Sequence, residues 1–445
     1  MKVNPAVFKS YDIRGTYPDE LNERAAREIG RAFVCRAAAK RVAVGRDMRL
    51  SSPALFKAIT EGIMEQGADV FDMGQVPTEC LYFAVGGRDF DAGVMITASH
   101  NPKEYNGFKM VKKEGSGFSM IRGTEMAAAV EKEKPESPKK GVLTEKDLLA
   151  EYAERLFSLV KVEGIKPFRV VIDAGNGMAG KVIPLIKERL PINIVPLNFE
   201  LDGSFPAHPS NILEKGAAEQ VGEKVRREKA DFGFAFDGDA DRIYLIDELG
   251  NLVSADITLL FLARHLLEEN PGGVISYNLI CSKSLPEFIE KWGGKPVRTR
   301  VGFVNVRDAL IENRGIMGGE LSGHYCFRDN FYGDSAFLAL LILLKAISNS
   351  DKSVSAAVSQ FQRYYRAPEI NFKIENKQEI LQKIKDRYSD GKQDYLDGVT
   401  VEYENWWFNV RPSQTEPLLR LTIEADTKKV FEEKKKELTG FIQER

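Results

Sequence analysis

A hydroxyl group and an imidazole adjoin in the turn at residues 97–102, which we call the serine loop. The turn follows an apolar run, residues 92–96, that predicts a buried strand of a parallel sheet. Ligands of open α/β sheets bind beyond the carboxyl ends of the strands, so Ser99 and His100 stand where catalysis is commonly done. Taken alone, the polar residues of this loop are more typical of an ordinary turn. The functional interpretation therefore depends on three further loops.

Three carboxylates alternate in the acidic loop, residues 237–242, directly after a run that predicts another buried strand. Carboxylates at every second position of an extended segment project to one side, where they repel one another unless a cation binds them. Asp237, Asp239 and Asp241 therefore predict a site for a hard cation such as Mg²⁺. An EF-hand fails because Arg242 occupies the position that needs glycine and because strands flank the loop. A solvated acidic turn remains the alternative.

The histidine loop, residues 318–324, sets a carboxylate, a hydroxyl and an imidazole among glycines. Neutral polyols are recognised by directional donors and acceptors of this kind, and a histidine can also move a proton. The loop therefore predicts sugar binding through Glu320 and Ser322, with His324 as a group that could carry a proton.

The arginine loop, residues 411–417, joins two strand-like segments near the C-terminus and is followed by Arg420. Two guanidinium groups and two hydroxyl groups suit a phosphate dianion, because bidentate arginine contacts match its oxygens. The residues concerned are Arg411, Ser413, Thr415 and Arg420. The alternative for Arg420 is that it is merely a paired strand residue.

A dinucleotide-binding fingerprint, Gly-Asn-Gly-Met-Ala-Gly, occupies residues 175–180 directly after a predicted strand. Glu200 follows at about the distance expected of a ribose-binding acid, so a dehydrogenase is an alternative function. The acidic loop at the end of the next strand would, however, repel a pyrophosphate. A glycine-rich turn between a strand and a helix also needs no ligand to form. We therefore favour a structural role for these glycines.

The overall composition excludes several classes of function. The 445 residues contain 63 Lys and Arg against 65 Asp and Glu, a balance that gives no global attraction for nucleic acid or an anionic membrane surface. The longest apolar run, residues 336–344, is far too short to cross a bilayer, and the N-terminus lacks the apolar core of a signal peptide. The 4 cysteines show no paired spacing. We expect a cytoplasmic protein with small-molecule partners.

Strand-like and helix-like segments alternate through most of the chain, which predicts an α/β fold with mixed, mostly parallel sheets. Three successive similar α/β units are followed, from about residue 368, by alternating half-exposed strands and a closing helix. A charged, proline-containing stretch at residues 131–140 is typical of a domain linker. The predicted domains are three α/β domains, 1–140, 141–248 and 249–366, and a smaller C-terminal α+β domain, 367–445.

The four loops together resemble those of the α-D-phosphohexomutase family, in the same order and with matching spacing along nearly the whole chain. Segments 11–15 and 106–109 are also similar to that family. The resemblance implies four domains around a central cleft, with Ser99 carrying a phosphoryl group beside a bound Mg²⁺. The metal ligands that it implies are Ser99, Asp237, Asp239 and Asp241.

Further site residues are implied by the same resemblance. Arg14, Lys109 and Arg242 would hold positive charge around the transferring phosphoryl group. His324 and Lys109 would be the candidate proton carriers, and His100 would be a further catalytic residue beside the serine. The substrate-binding residues implied are Tyr11, Glu320, Ser322, Arg411, Ser413, Gln414, Thr415 and Arg420.

The sequence Glu-x-Ser-Gly-His in the histidine loop is similar to the family's bifunctional phosphomannomutase/phosphoglucomutase subgroup. The implied enzyme interconverts hexose 1-phosphate and hexose 6-phosphate, of mannose or glucose, through a 1,6-bisphosphate that also acts as an activator. Phe303, Ile280 and Gln414 stand where that subgroup is expected to have His, Lys and Asn. The alternatives are a phosphoglucosamine mutase, a sugar phosphatase, a non-catalytic sensor and the dehydrogenase. We expect a monomer or a small homo-oligomer.

Overall fold

The computed structural model describes residues 3–135, 137–413 and 418–443. The chain forms two compact units, one of residues 1–254 with 322–355 and the other of residues 255–321 with 356–445. The predicted α/β class is confirmed, because helices and mixed sheets alternate along most of the chain. No helix among the described residues is long and apolar enough to cross a membrane.

The first sheet combines parallel and antiparallel pairs. Its strands are β1 (Ile13–Thr16), β2 (Arg41–Arg46), β3 (Asp69–Gln75), β4 (Ala92–Ile96), β5 (Tyr105–Glu114), β6 (Gly117–Ile121) and β7 (Leu143–Glu145). They pair in the order β1-β5-β4-β2-β3-β7, with β6 also on β5. β2 runs parallel to β3 and β4, whereas β5 is antiparallel to β4. The apolar run of β4 is buried throughout, as its sequence predicts.

The helices of this part are α1 (Glu23–Ala37), α2 (Ser52–Glu65), α3 (Thr78–Gly87) and α4 (Gly123–Glu131). α1 begins at Asn22, whose side chain accepts a hydrogen bond from the Ala25 N–H at 3.1 Å, as an N-cap does. α1 packs closely on α2, since a Cβ on Gly30 would lie 2.3 Å from the Ile59 carbonyl oxygen. Only a glycine allows the two backbones to approach so closely.

The second sheet has strands β8 (Arg169–Asp173), β9 (Asn193–Leu197), β10 (Phe232–Phe236) and β11 (Ile243–Ile246) in the order β11-β10-β8-β9. β8 is parallel to β9 and β10, and β11 is antiparallel to β10. The helices of this part are α5 (Leu149–Leu159), α6 (Ala179–Ile186) and α7 (Ala217–Glu228). β10 is fully buried, and its carboxyl end leads directly into the acidic loop.

The second compact unit opens with a parallel sheet. Its helices are α8 (Ala255–Glu269), α9 (Ser284–Lys291) and α10 (Phe303–Glu312), and its strands are β12 (Val274–Asn278), β13 (Lys295–Thr299) and β14 (Met317–Gly319). β12 lies between β13 and β14 and is parallel to both. This arrangement matches the third α/β repeat that the sequence predicts.

Two observations bear on the predicted domain boundaries, which stay predictions. β7 pairs in parallel with β3, so the first sheet continues past residue 140, where the first domain was predicted to end. Residues 322–355 were predicted within the third domain, but they lie in the first compact unit. They contain β15 (Tyr325–Phe327) and α11 (Ala336–Ser348), and α11 packs on β11 and α5.

The C-terminal part is antiparallel. Its strands are β16 (Tyr365–Arg366), β17 (Ile370–Lys373), β18 (Lys392–Asp394), β19 (Val399–Glu402), β20 (Trp406–Pro412) and β21 (Leu418–Ala425), and its helices are α12 (Val354–Phe361), α13 (Lys377–Arg387) and α14 (Lys428–Gln443). The sheet order is β16-β21-β20-β19-β18, with β17 also paired to β21. The half-exposed alternation predicted from about residue 368 corresponds to these strands.

Candidate active site

The serine loop leaves the carboxyl end of β4 and buries its central hydroxyl. Ser99 is 1% exposed and has a left-handed backbone, with φ of 52°. Its N–H donates to Thr97 Oγ1 at 2.8 Å, which closes the turn. Ser99 Oγ donates to Asp237 Oδ2 at 3.0 Å and lies 3.1 Å from His100 Nδ1. The serine loop and the acidic loop therefore meet at this hydroxyl.

The acidic loop is a turn and not the extended segment that we predicted. Ala240 has φ of 57° within it. The turn nevertheless brings the three carboxylates together, with one oxygen from each within 4.8 Å of the others, so the predicted convergence is found for a different geometric reason. All three side chains, those of Asp237, Asp239 and Asp241, are buried.

This carboxylate cluster fits a divalent cation. Among the described residues, none donates a hydrogen bond to Asp239 Oδ1, although that oxygen is buried. Burial and repulsion from Asp241 and Asp239 raise the pKa of Asp237 to about 7. Buried, mutually repelling carboxylate oxygens with an unused lone pair are the donor set that hard cations take.

Lys109 on β5 compensates part of this negative charge. Its ammonium donates to Asp239 Oδ2 at 2.7 Å and also to Asp241 Oδ2. Burial alone would lower the pKa of Lys109, but the two carboxylates raise it above its ordinary value. The side chain therefore stays protonated, which suits it to hold charge rather than to exchange a proton.

Two arginines approach the same cluster from different elements. Arg242 donates its backbone N–H to Asp237 Oδ1 at 3.2 Å, and its Nε lies 3.6 Å from Asp237 Oδ2. Arg14 on β1 is half-buried and donates to the Ala98 carbonyl oxygen at 3.2 Å. Tyr11, three residues earlier, is also half-buried. Both guanidinium groups therefore lie beside the loops that carry the serine and the carboxylates.

The two predicted catalytic histidines differ in their surroundings. His324 Nε2 accepts a hydrogen bond from Arg242 Nε at 3.2 Å, and His324 Nδ1 lies 3.1 Å from Ser322 Oγ. The same Nε2 is 3.3 Å from Asp241 Oδ1. His100 is surrounded differently: burial and then the charges of Arg242 and Arg14 hold its pKa well below the usual range, so it is neutral. His324 Nε2 also has Asp334 Oδ2 at 3.7 Å, so carboxylate oxygens of two residues lie near it.

Two polar residues of the cluster were missed by sequence reasoning. Thr78, at the start of α3, donates its hydroxyl to Asp239 Oδ2 at 2.5 Å and its N–H to the Asp239 carbonyl oxygen at 3.1 Å. Asp334 Oδ2 lies 3.7 Å from His324 Nε2. A threonine at a helix start is normally taken for a cap, and Asp334 has no motif around it. Only their position at the ends of regular elements could have drawn attention to them.

Glu79 connects the two elements that carry these residues. Its carboxylate accepts a hydrogen bond from the Ala336 N–H at 2.6 Å, at the start of α11, and others from the hydroxyls of Ser335 and Tyr152. Burial raises the pKa of Glu79 to about 8. Since Thr78 and Asp334 are the chain neighbours of Glu79 and Ser335, this contact fixes both sides of the cluster.

The histidine loop is divided between the two compact units. Glu320, in the second unit, is buried and accepts hydrogen bonds from the Gly302 N–H at 2.9 Å and from Asn278 Nδ2 at 3.4 Å. Ser322 and His324 belong to the first unit. There the Tyr244 hydroxyl donates to the Ser322 carbonyl oxygen at 2.5 Å. The residues predicted to bind sugar hydroxyls are thus held by separate parts of the fold.

The described residues of the arginine loop, 411–413, lie at the end of β20. Arg411 on β20 and Arg420 on β21 face each other across the strand pair. Both bind Glu369, at 2.6 Å from Arg411 Nη2 and 3.1 Å from Arg420 Nη1. Ser413 donates its N–H to the Leu418 carbonyl oxygen at 2.8 Å. Gln414 and Thr415, which we predicted to bind substrate, lie outside the described residues.

The glycines of the dinucleotide fingerprint pack against the acidic loop. The Met178 N–H donates to the Gly238 carbonyl oxygen at 2.9 Å, and a Cβ on Gly177 would lie 2.5 Å from that oxygen. Glu200 contributes its carbonyl oxygen, which accepts from Asn176 Nδ2 at 2.9 Å. The glycines therefore have a packing role next to the carboxylate cluster, as the sequence led us to favour.

Comparison with protein families gives matches along nearly the whole chain. The four domain families described as phosphoglucomutase/phosphomannomutase, three α/β/α domains and a C-terminal domain, match residues 5–137, 150–250, 254–364 and 369–440.

Individual relatives match over similar lengths. The chain is 37% identical to a phosphomannomutase of Methanocaldococcus jannaschii, covering 98% of this chain and 97% of the relative. It is 34% identical to a phosphomannomutase/phosphoglucomutase of Pseudomonas aeruginosa, covering 96% and 93%. A crystal structure of a phosphoglucomutase/phosphomannomutase family protein from Burkholderia thailandensis superimposes with a TM-score of 0.89 at 30% identity, over 99% of this chain and 98% of that one.

Proposed function

Because the chain belongs to the phosphoglucomutase/phosphomannomutase family and is an enzyme that transfers phosphate within a hexose phosphate, we propose that it works through phosphorylated Ser99. The observation that carries this proposal is the 3.0 Å hydrogen bond from Ser99 Oγ to Asp237 inside the buried carboxylate cluster. The substrates are the 1- and 6-phosphates of mannose and glucose.

The reaction has two half-reactions at one serine. The phosphoryl group leaves Ser99 Oγ and bonds to the free hydroxyl oxygen of the hexose monophosphate, which yields a 1,6-bisphosphate. The bisphosphate then turns over, and its other phosphoryl group returns to Ser99. Each transfer needs positive charge around the phosphoryl oxygens and firm positioning more than covalent help from the protein. Arg14, Lys109 and Arg242 supply that charge.

The proton of the attacking sugar hydroxyl needs an acceptor, and His324 suits this role. Its Nε2 lies 3.3 Å from Asp241 Oδ1 and 3.7 Å from Asp334 Oδ2, so carboxylate oxygens stand beside the atom that would take the proton. Lys109 is the less suitable carrier, because Asp239 and Asp241 keep its ammonium group protonated.

Substituting His324 by Ala is expected to lower kcat by on the order of a hundredfold, the usual scale of general acid–base assistance. Steady-state kinetics with glucose 1-phosphate would measure the effect, and KM should change little. If KM rises while kcat holds, His324 binds substrate and does not transfer the proton.

We propose Mg²⁺ as the cation, held by Asp237, Asp239, Asp241 and an oxygen on Ser99. When bound, it would neutralise charge on the phosphoryl oxygens. Adding Mg²⁺ at about a hundred times its Kd should stabilise the protein by about 2.7 kcal/mol, visible as a rise in Tm. Asp239→Asn should abolish the rise, whereas Asp89→Asn, an exposed carboxylate far from these loops, should keep it. A rise that persists in Asp239→Asn would place the cation elsewhere.

A coupled assay tests the substrate. Mannose 1-phosphate and glucose 1-phosphate should both be converted when a hexose 1,6-bisphosphate is present as activator. Phe303 and Ile280 depart from the bifunctional pattern, so glucosamine 1-phosphate and N-acetylglucosamine 1-phosphate belong in the same panel. If only glucosamine 1-phosphate is converted, the proposed substrates are wrong, but the phosphoserine mechanism is not contradicted. Release of inorganic phosphate as the only product would instead indicate a phosphatase.

A further inference from the structure

We propose that Arg49 is the positioning residue of the serine loop: its buried guanidinium fixes Ser99 for the transfer chemistry proposed above, on which this inference rests. Arg49 lies three residues beyond β2 and is 1% exposed. Because it touches only backbone oxygens of the loop and never the serine hydroxyl, its effect on the reaction is transmitted through the loop backbone.

The guanidinium group binds four carbonyl oxygens of the serine loop and its exit. Nη2 donates to the carbonyl oxygens of Ser99 at 2.8 Å and Asn101 at 2.6 Å. Nη1 donates to those of Pro102 at 2.7 Å and Tyr105 at 2.9 Å. All four carbonyl groups accept from one guanidinium group that is itself buried. A single planar guanidinium group therefore donates hydrogen bonds to the carbonyl oxygens of four different residues.

The loop needs such a clamp because its backbone is strained at the reacting residue. A non-glycine residue with φ of 52°, as Ser99 has, occupies a sparsely populated region and persists only where its surroundings fix it. Relaxation of this torsion angle would rotate the Cα–Cβ bond of Ser99. The hydroxyl would then lose its 3.0 Å contact with Asp237.

The carboxylate of Asp47 lies beside the guanidinium group of Arg49. Asp47 Oδ2 lies 3.2 Å from Arg49 Nε, and both side chains are fully buried. Asp47 Oδ1 accepts hydrogen bonds from the Arg49 N–H at 3.0 Å and from Ser52 Oγ at 2.7 Å, at the start of α2. The carboxylate is therefore anchored to the start of a helix, and it places a negative charge beside the buried guanidinium group.

The side chain of Ser210 connects the same Ser99 carbonyl oxygen to the acidic loop. Ser210 Oγ donates to the Ser99 carbonyl oxygen at 3.2 Å and accepts from the Gly238 N–H at 3.0 Å. The oxygen that Arg49 holds is thus also tied to the segment between Asp237 and Asp239. Displacing it would disturb the serine and the carboxylates together.

The test is Arg49→Lys, which keeps the charge but cannot reach four carbonyl oxygens with one ammonium. Its kcat should fall on the order of a hundredfold, the cost of a displacement of about 1 Å in a reacting group. KM for glucose 1-phosphate should change little. Phosphoryl transfer from glucose 1,6-bisphosphate to Ser99, measured by mass spectrometry of the intact protein, should slow by a similar factor. The matched control is Arg46→Lys, which replaces the last residue of β2, an arginine paired to Asp72, and should behave as the wild type.

Two further measurements separate positioning from folding. Arg49→Ala should regain part of its activity when guanidinium chloride is added at millimolar concentration, because the free ion can enter the vacated site. Wild-type transfer rates in Arg49→Lys would overturn the proposal. So would a loss of activity that only follows the loss of folded protein seen by circular dichroism. If the wild-type protein itself takes up no phosphoryl group on Ser99, the result contradicts the proposed function and not the positioning role of Arg49 alone.

Discussion

Replacing Ser99 by Ala should abolish mutase turnover while leaving the fold intact. Ser99 Oγ donates to Asp237 of the acidic loop, whereas the Thr78 hydroxyl, on α3, donates to Asp239. Removing a covalent nucleophile costs on the order of 10⁶-fold in rate in enzymes where it has been measured. The fold should survive because the substitution removes one oxygen and adds none. Steady-state assays with a hexose 1,6-bisphosphate present would measure the loss.

The matched control is Ser158→Ala, which removes a hydroxyl from the exposed face of α5. It should leave activity unchanged. Mass spectrometry should find one phosphoryl group on part of the purified wild-type protein and none at this site in the variant. Normal turnover by Ser99→Ala would rule out the covalent mechanism.

Removing both guanidinium groups of the arginine loop should have the second largest effect. The substrate phosphate that is not being transferred needs its own binding site in each half-reaction, and Arg411 and Arg420 face each other as a pair. A hydrogen bond to a charged group contributes about 1.5–3 kcal/mol, so losing two should lower kcat/KM roughly a thousandfold. Glu369 should be changed to Gln in the same variant, because it would otherwise lose both of its ion pairs.

The double arginine variant should still take up a phosphoryl group on Ser99 and still bind Mg²⁺, since its changes lie in the other compact unit. Arg387→Ala, which removes a half-exposed arginine of α13 beside Glu437, is the control. A kcat/KM near the wild-type value in the variant without both arginines would mean that the phosphate is held by other residues.

Much of the candidate site could be predicted because its residues are grouped in short, contiguous loops of the sequence. Ser99 with His100 and the three aspartates stand directly after predicted strands, where α/β proteins bind ligands. His324 was found from the carboxylate, hydroxyl and glycines around it in its loop. The alternation of strands and helices gave the fold class for the same reason, since it depends only on local periodicity.

What could not be predicted depends on tertiary contacts. Thr78 contacts Asp239 although the two residues are 161 positions apart in the chain. Asp334 and Arg49 lie in segments without any motif. The acidic loop turned out to be a tight turn because Ala240 adopts positive φ, a conformation that alanine does not signal.

The meeting of Ser99 and Asp237 has a consequence for how the protein folds. The two residues are 138 positions apart in the chain and leave the ends of strands in different sheets. Contacts of such long sequence separation close large loops and form late, after local helices and hairpins. On refolding from denaturant, helical circular dichroism should therefore return before catalytic activity does. Activity that recovers together with the helical signal would show that the two sheets assemble in a single step.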